Sequence, residues 1–430
     1  MDLPTVLGNL RIAAHSPAIS QGWTESAPAR PPGDLFFIEK DFITTGCNYL
    51  GLPPAMLEPT LQAADQIRAN PALTALIWHA HYRLYRSGSG LGGWPSLTES
   101  LGDLAGLFYF IVLLSNYLET RTLHTAHAIP SAVITDSLSD IVHNLQNNKK
   151  RTGQYALTPL NCDAWLKYHL RGDLYQLGRL QFIQTKFPAG AIVYRNSKNQ
   201  AVIALAESGI HFRRDGQKNG ASGLSETQGV WTSELQHNGD WIIGNPIDPA
   251  NGGACPKPIR LATSDWTEIL HPGDPVLDIH IPASGPLTAH ECTLSTQRAV
   301  AFFWHHFPEK PPAKALICTS WILDAQLVQY LKPDSNIINF QQQFYLYPGD
   351  CDPWAIFRDV FQLAIPYGQV GGVDLKALPQ NSTLEKGVVT HVANGQRWRK
   401  AGGFILVEDL PWGRASYRQS NARPTELTST

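Results

Sequence analysis

Residues 273–291, GDPVLDIHIPASGPLTAHE, bring together side-chain types that can do chemistry. Residues 275–281 read as a strand, and alternate side chains of a strand share a face. Leu277, Ile279 and Ile281 then face packed helices, while Val276, Asp278 and His280 face the other way. An imidazole whose ordinary pKa is about 6.5 can accept a proton near neutral pH, which makes His280 the candidate general base. The alternative is a pair of hydrogen-bonded polar residues at an edge or cleft.

The strand must stop at Pro282, and the loop PASGPL leads into a helix expected to begin near Thr288. Thr288 followed by Glu291 reads as a capping box. A strand, a glycine-containing loop and a helix N-terminus can present backbone N–H groups to an anion such as a pyrophosphate. The next strand, in KALICTSWIL, ends at Ser320 and Trp321, and Asp324 follows as an expected N-cap. If the two strands are parallel neighbours, their carboxyl ends border one crevice, where ligands of open α/β sheets tend to lie. Ser320 is therefore the candidate to position an acceptor or to protonate a leaving thiolate.

Other signals carry less. Gly88, Gly90 and Gly93 fit GxGxxG, but a helix-like segment precedes them where a dinucleotide fold needs a strand. His79 and His81 would point to different faces of a helix, and no carboxylate or cysteine completes a metal set with His124 and His127. No metal is expected. His305 and His306 suit a helix C-terminus. There is no GxSxG elbow. Cys47, Cys162, Cys255, Cys292, Cys318 and Cys351 lack CxxC spacing, so reduced thiols in a cytoplasmic protein are expected. With 34 Lys+Arg against 36 Asp+Glu and no basic–aromatic run, nucleic-acid binding is not expected. Neither is a membrane partner, because the most apolar stretch, residues 104–114, is far shorter than the roughly 20 residues a span needs. The N-terminus does not read as a secretory signal.

These candidate residues need a scaffold, and the hydrophobic period supplies its outline. Residues 1–35 read as irregular. Residues 54–145 carry helical spacing, including one long apolar helix over 97–118. The polar segment 147–154, NNKKRTGQ, reads as the end of a helical domain spanning 1–150. The period then changes. Short strands are expected over 180–187, 191–194, 201–206 and 210–213, followed by a long loop over 217–258. Helices are expected over 288–307, 324–331, 354–361 and 383–393, with strands over 315–322, 336–346 and 403–407. The fold class is α/β (α+β): helical residues 1–150, a mixed sheet flanked by helices over 151–415, and a disordered tail over 416–430.

The chain resembles a family of two-domain bacterial proteins, an N-acyltransferase N-terminal domain followed by a GNAT-like C-terminal domain. LGRLQF (177–182), GNPIDP (244–249), LHPGDPVLDIHIPASGPLT (270–288), CTSWILDAQL (318–327) and PDSNIINFQQQF (333–344) carry the resemblance, with the closing helix and strand. It implies acyl-CoA held between two splayed parallel strands and acyl transfer to an amine or similar small acceptor. The donor would lie along Ile279 and Ile281, with its phosphates at Ala283, Ser284, Gly285 and Thr288. The phosphate loop of such folds reads Gln/Arg-x-x-Gly-x-Gly/Ala. Aligned on Gly285, this chain has Pro282 and Leu287 at the outer positions. Pro282 and Pro286 each remove an N–H donor, so weaker phosphate binding is expected. Two other readings stand beside an enzyme: a non-catalytic GNAT-fold module that senses an acylated ligand, and a β-rich carbohydrate-binding or hydrolytic protein suggested by 12 Trp. The last requires paired carboxylates, and no convincing pair is visible.

Overall fold

A computed structural model describes residues 1–283, 285–349, 352–363, 365, 372–412 and 417–418. The chain divides into two compact units, Met1–Leu177 and Gly178–Thr430.

The first unit is helical. At its centre the helix Ala105–Leu114, AGLFYFIVLL, is buried on nearly every side. The helices Lys40–Tyr49, Leu57–Ala69 and Pro71–His81 pack around it. Asn70 starts the last of these, accepting from Ala72 N at 3.0 Å, with Pro71 pre-set for the first turn. Gly46 is required by close approach, since a Cβ there would lie 2.9 Å from the side chains of Leu114 and Tyr117. The segment Thr98–Ala126 has the length and apolarity of a membrane span, yet 67% of its apolar 18-residue window is buried inside the protein. It is divided into separate helices, with Ser115 and Asn116 between Ala105–Leu114 and Tyr117–Ala126.

Two expectations about this unit change. Residues 1–35 are not irregular: they form the short helices Leu3–Asn9, Ser16–Ile19 and Trp23–Ser26. Val6, Leu7, Leu10 and Ile19 from this region join the core, but elements this short cannot display a period of 3.6. The segment 147–152 does not end the helical region at 150, because the helix Ser131–Thr152 runs through it to Gly153. Lys149, Lys150 and Arg151 suit its negative C-terminal end, and Gly153 takes the left-handed conformation that closes it. Leu157, Cys162, Leu166 and Leu170 still belong to the first core, which places the division between Leu177 and Gly178.

The second unit is built on a mixed sheet. Five of its strands run in the order Gln181–Lys186, Pro275–His280, Ala315–Ser320, Ala401–Leu406 and Tyr345–Tyr347. The pair Pro275–His280 and Ala315–Ser320 is parallel, and the other pairs are antiparallel. The helix Ala289–His306 connects the parallel pair. It buries Cys292, Ser295, Thr296, Ala299, Phe302 and Phe303, a stripe at helical spacing. A three-stranded antiparallel sheet, in which Ala191–Asn196 lies between Val202–Ala206 and Trp266–Leu270, completes a core with Val276, Ile317 and Phe404.

Here too the sequence reading needs correction. The supposed loop 217–258 holds the strands Trp231–Thr232, Leu235–Asn238 and Trp241–Gly244, the last pairing with Ile259–Ala262. Residues 336–346 are not one strand but the helix Asn336–Gln341 followed by Tyr345–Tyr347. The run of Ile337, Ile338 and Phe340 imitates a strand, whereas Ser335 caps the helix by accepting from Ile338 N at 3.4 Å. The segment from 324 forms a 3-10 helix, Ala325–Gln329, with Asp324 as its N-cap. Of the expected tail, only Tyr417 and Arg418 are among the described residues. Tyr417 is buried and its hydroxyl donates to Asp409 Oδ2 at 2.7 Å.

Candidate functional site

Hydrogen-bonding register creates the opening. The parallel ladder pairs Val276 with Ala315, Leu277 with Leu316 and Asp278 with Ile317, and goes no further. Each strand nevertheless keeps its outer neighbour to its own end: His280 pairs with Gln181, and Ser320 with Ala401. Two strands held apart by their outer partners must splay. Beyond Asp278 and Ile317 they leave a cleft of about 740 Å3, lined by Ile279, His280, Ile281, by Pro282, Ala283 and 285–287 of the following loop, and by residues 318–322.

Asp278 and His280 share a face, as alternation requires. Asp278 Oδ2 lies 3.2 Å from His280 Nε2, and the His280 side chain is 29% exposed. A solvent-reachable imidazole beside a carboxylate can take a proton from a bound nucleophile and be steadied when charged. Ile279 is buried and Ile281 half-buried, both in the cleft wall. Across the cleft, Cys318 is 1% exposed, and burial, with Asp278 adding to it, pushes its thiol well above the ordinary range. It is held as a thiol and makes a poor nucleophile. Asp359 lines the cleft as well. Burial pushes its carboxyl up against the opposing pull of Trp321, Arg358 and Lys400, and Trp321 Nε1 donates to its Oδ2 at 2.8 Å.

Ser320 lies in the wall, but its Oγ accepts from Ile322 N at 3.3 Å and so caps the turn Trp321–Leu323. Thr288 N-caps the helix Ala289–His306, accepting from Glu291 N at 3.3 Å. This is one half of the expected capping box. Thr288 does not line the cleft, whereas Leu287 does. Gly285 adopts φ +72°, and a Cβ there would meet nothing within 4 Å. Its glycine is thus needed for backbone conformation rather than for protein contact. Ala283 lines the cleft, and Ser284 lies outside the described residues.

The residue that sequence reasoning missed is Arg179. Its guanidinium donates to Pro286 O at 3.0 Å, Pro282 O at 3.1 Å and Gly285 O at 2.8 Å. Nothing local signals a clamp across more than a hundred residues. Lys400, Arg358 and Asp359 were missed for the same reason.

Other features compete poorly. A larger apolar groove of about 1100 Å3 runs along Leu277, Val300, Ala301, Trp304 and Val407, without an Asp–His pair. At the GxGxxG segment, Leu91 N donates to Asp163 Oδ2 at 3.0 Å, so a protein carboxylate occupies that loop. Among the described residues no group of three His, Cys, Asp or Glu side chains could hold a metal.

Residues 174–405 match the family model described as GNAT-like C-terminal domain, and residues 41–172 match N-acyltransferase N-terminal domain. A comparison with curated proteins finds no match. Similar solved structures include an acyltransferase in complex with decanoyl-CoA, 26% identical with a TM-score of 0.59, covering 96% of this chain and 100% of that one. An acyltransferase in complex with CoA and 10C-teicoplanin, and one with decanoyl-CoA and teicoplanin, are each 24% identical. Their TM-scores are 0.62 and 0.61, with 94% of this chain and 99% of each of those covered. These two bear on the fold alone.

Proposed function

This chain belongs to the acyltransferase family that joins an N-acyltransferase N-terminal domain to a GNAT-like C-terminal domain, and on that premise we propose that it transfers an acyl group from acyl-CoA to the amine of a small acceptor. The observation that carries the proposal is the parallel ladder that ends at Asp278 and Ile317 while both outer ladders continue. It leaves a strand edge for the donor's pantetheine arm along Ile279 and Ile281. The phosphates would lie at Ala283, Ser284, Gly285 and the start of the helix that Thr288 caps.

In the reaction the acceptor nitrogen attacks the thioester carbonyl, the carbon–sulfur bond breaks, and CoA leaves as a thiolate. His280 takes the proton the nitrogen must lose, and Asp278 steadies the resulting imidazolium. The raised Cys318 thiol favours direct transfer over a cysteine-bound acyl intermediate. Ser320, its Oγ already accepting a bond, retains an O–H that can be donated to the acceptor or the leaving sulfur. The acyltransferases with bound decanoyl-CoA and teicoplanin make a medium acyl chain and a glycopeptide amine the first pair to try. The unpaired Cys47, Cys162, Cys255, Cys292 and Cys318 support a reducing compartment, the cytoplasm of a bacterial cell in this reading.

The test is free-thiol release from decanoyl-CoA with an amine acceptor. Acceptor-dependent release with acylated product by mass is expected. Binding of decanoyl-CoA with no release across a panel of amines would favour the non-catalytic sensing module instead.

A further inference from the structure

The loop at the mouth of the cleft is poor in donors, because Pro282 and Pro286 carry no N–H. Its carbonyls, however, are held. Pro282 O, Gly285 O and Pro286 O all accept from the single side chain of Arg179. In a trans peptide the C=O of one residue and the N–H of the next point in opposite directions across a rigid plane. Fixing Pro282 O and Pro286 O on Arg179 therefore turns the N–H groups of Ala283 and Leu287 away from it. Neither N–H donates to a protein group among the described residues. Both residues line the cleft.

Arg179 has no carboxylate partner among the described residues. Burial pulls its pKa down, so the surroundings disfavour its charge and do not neutralise it. Three neutral carbonyls share one positive charge, which remains available to an anion beside the loop.

We propose that Arg179 is a positioning residue for the diphosphate of a CoA-type donor. It orients the Ala283 and Leu287 N–H groups and supplies the positive charge that the two prolines cannot replace with donors. This rests on the acyl-CoA reading above, and it assigns the recognition of the nucleotide half of the donor to a residue far from the loop in sequence.

The test separates the two halves of the donor. The full chain and its Arg179→Gln and Arg179→Lys variants are assayed with decanoyl-CoA and with the decanoyl thioester of N-acetylcysteamine, which has no phosphate. Arg179→Gln should raise KM for decanoyl-CoA by about tenfold or more, the scale of a lost charge-assisted hydrogen bond. It should leave KM for the short thioester within about twofold and kcat for both near that of the wild type. Arg179→Lys, with its charge but not its fork, should recover part of the loss. An equal rise in KM for both donors, or a matching fall in kcat, would mean that Arg179 merely holds the cleft's shape. If Arg179→Gln fails to fold by thermal melt, the wild type decides: adenosine 3′,5′-bisphosphate or pyrophosphate must compete with decanoyl-CoA, and no competition overturns the inference. A wild type that uses both donors with one KM also overturns it while leaving acyl transfer intact. A wild type that uses neither removes the acyl-CoA reading itself.

Discussion

The histidines of the first unit and His280 of the second are the same residue type in opposite settings. His79, His81 and His124 are each 3% exposed or less. His79 Nε2 donates to Ile19 O at 2.7 Å, and its Nδ1 lies 2.6 Å from Ser26 Oγ, from which it can accept when the ring is neutral. His81 meets Ser115 Oγ and His124 meets Tyr49 Oη, each at 2.6 Å. Burial pulls all three down to about 4. His280 faces a cleft and a carboxylate. Hydroxyl and carbonyl partners in a dry core make an imidazole a packing element, whereas a carboxylate and access to a cleft are the setting that the proposed base requires. The histidine alone decides neither.

The comparison breaks most visibly in acid. A histidine held at about 4 in the fold and near 6.5 when unfolded binds its proton preferentially in the unfolded chain. Its contribution is present above about 6.5 and is lost as pH falls toward 4. Between pH 7.5 and 5 each of the three should cost on the order of 2 kcal/mol, from 1.36 kcal/mol per pH unit. Thermal melts with hydrogen exchange on the helix Pro71–His81 would report it. A flat stability profile to pH 5 would show that these rings are not held neutral.

The proposed base should fail differently. His280→Ala is expected to lower kcat by about 10²–10⁴-fold, the range for a lost general base, with little change in melting temperature. If activity survives while the fold weakens, His280 belongs with the structural histidines. The reciprocal variant, His81→Ala, should cost about 2–4 kcal/mol in stability by opening a cavity beside Phe37 and Trp78. Turnover per folded molecule should stay near that of the wild type, and a large kcat loss in the folded fraction would erase the contrast. The smallest effect is expected at Ser320. Ser320→Ala removes a turn cap worth about 1 kcal/mol and should lower kcat less than His280→Ala does. An equal loss would give Ser320 a direct part in the transfer.

What was legible in the chain was what depends on near neighbours. The alternation that puts Asp278 and His280 on one face, the stop at Pro282, the Thr288 cap and the long amphipathic helix behind it are all written within a few residues. The failures were local signals overruled from a distance. The apolar run at 337–340 reads as a strand until Ser335 caps it as a helix. The basic residues at 149–151 read as a boundary, though they sit well at the end of a helix whose successors still feed the first core. The short strands of 217–258 carry too few residues to show a period of two.

By itself the sequence determined which strand carries the Asp–His pair, where that strand ends and which helix follows, because φ/ψ preference, alternation and capping act over four or five residues. Only the tertiary structure decided that two parallel strands part after Asp278 and Ile317, that Ser320 spends its acceptor on Ile322, and that Arg179 holds the carbonyls of Pro282, Gly285 and Pro286. Each of these depends on a group distant in sequence or on competition between two partners for one edge. Hydrogen-bonding of that kind is settled by which groups the folded chain brings within about 3 Å, and no local pattern records it.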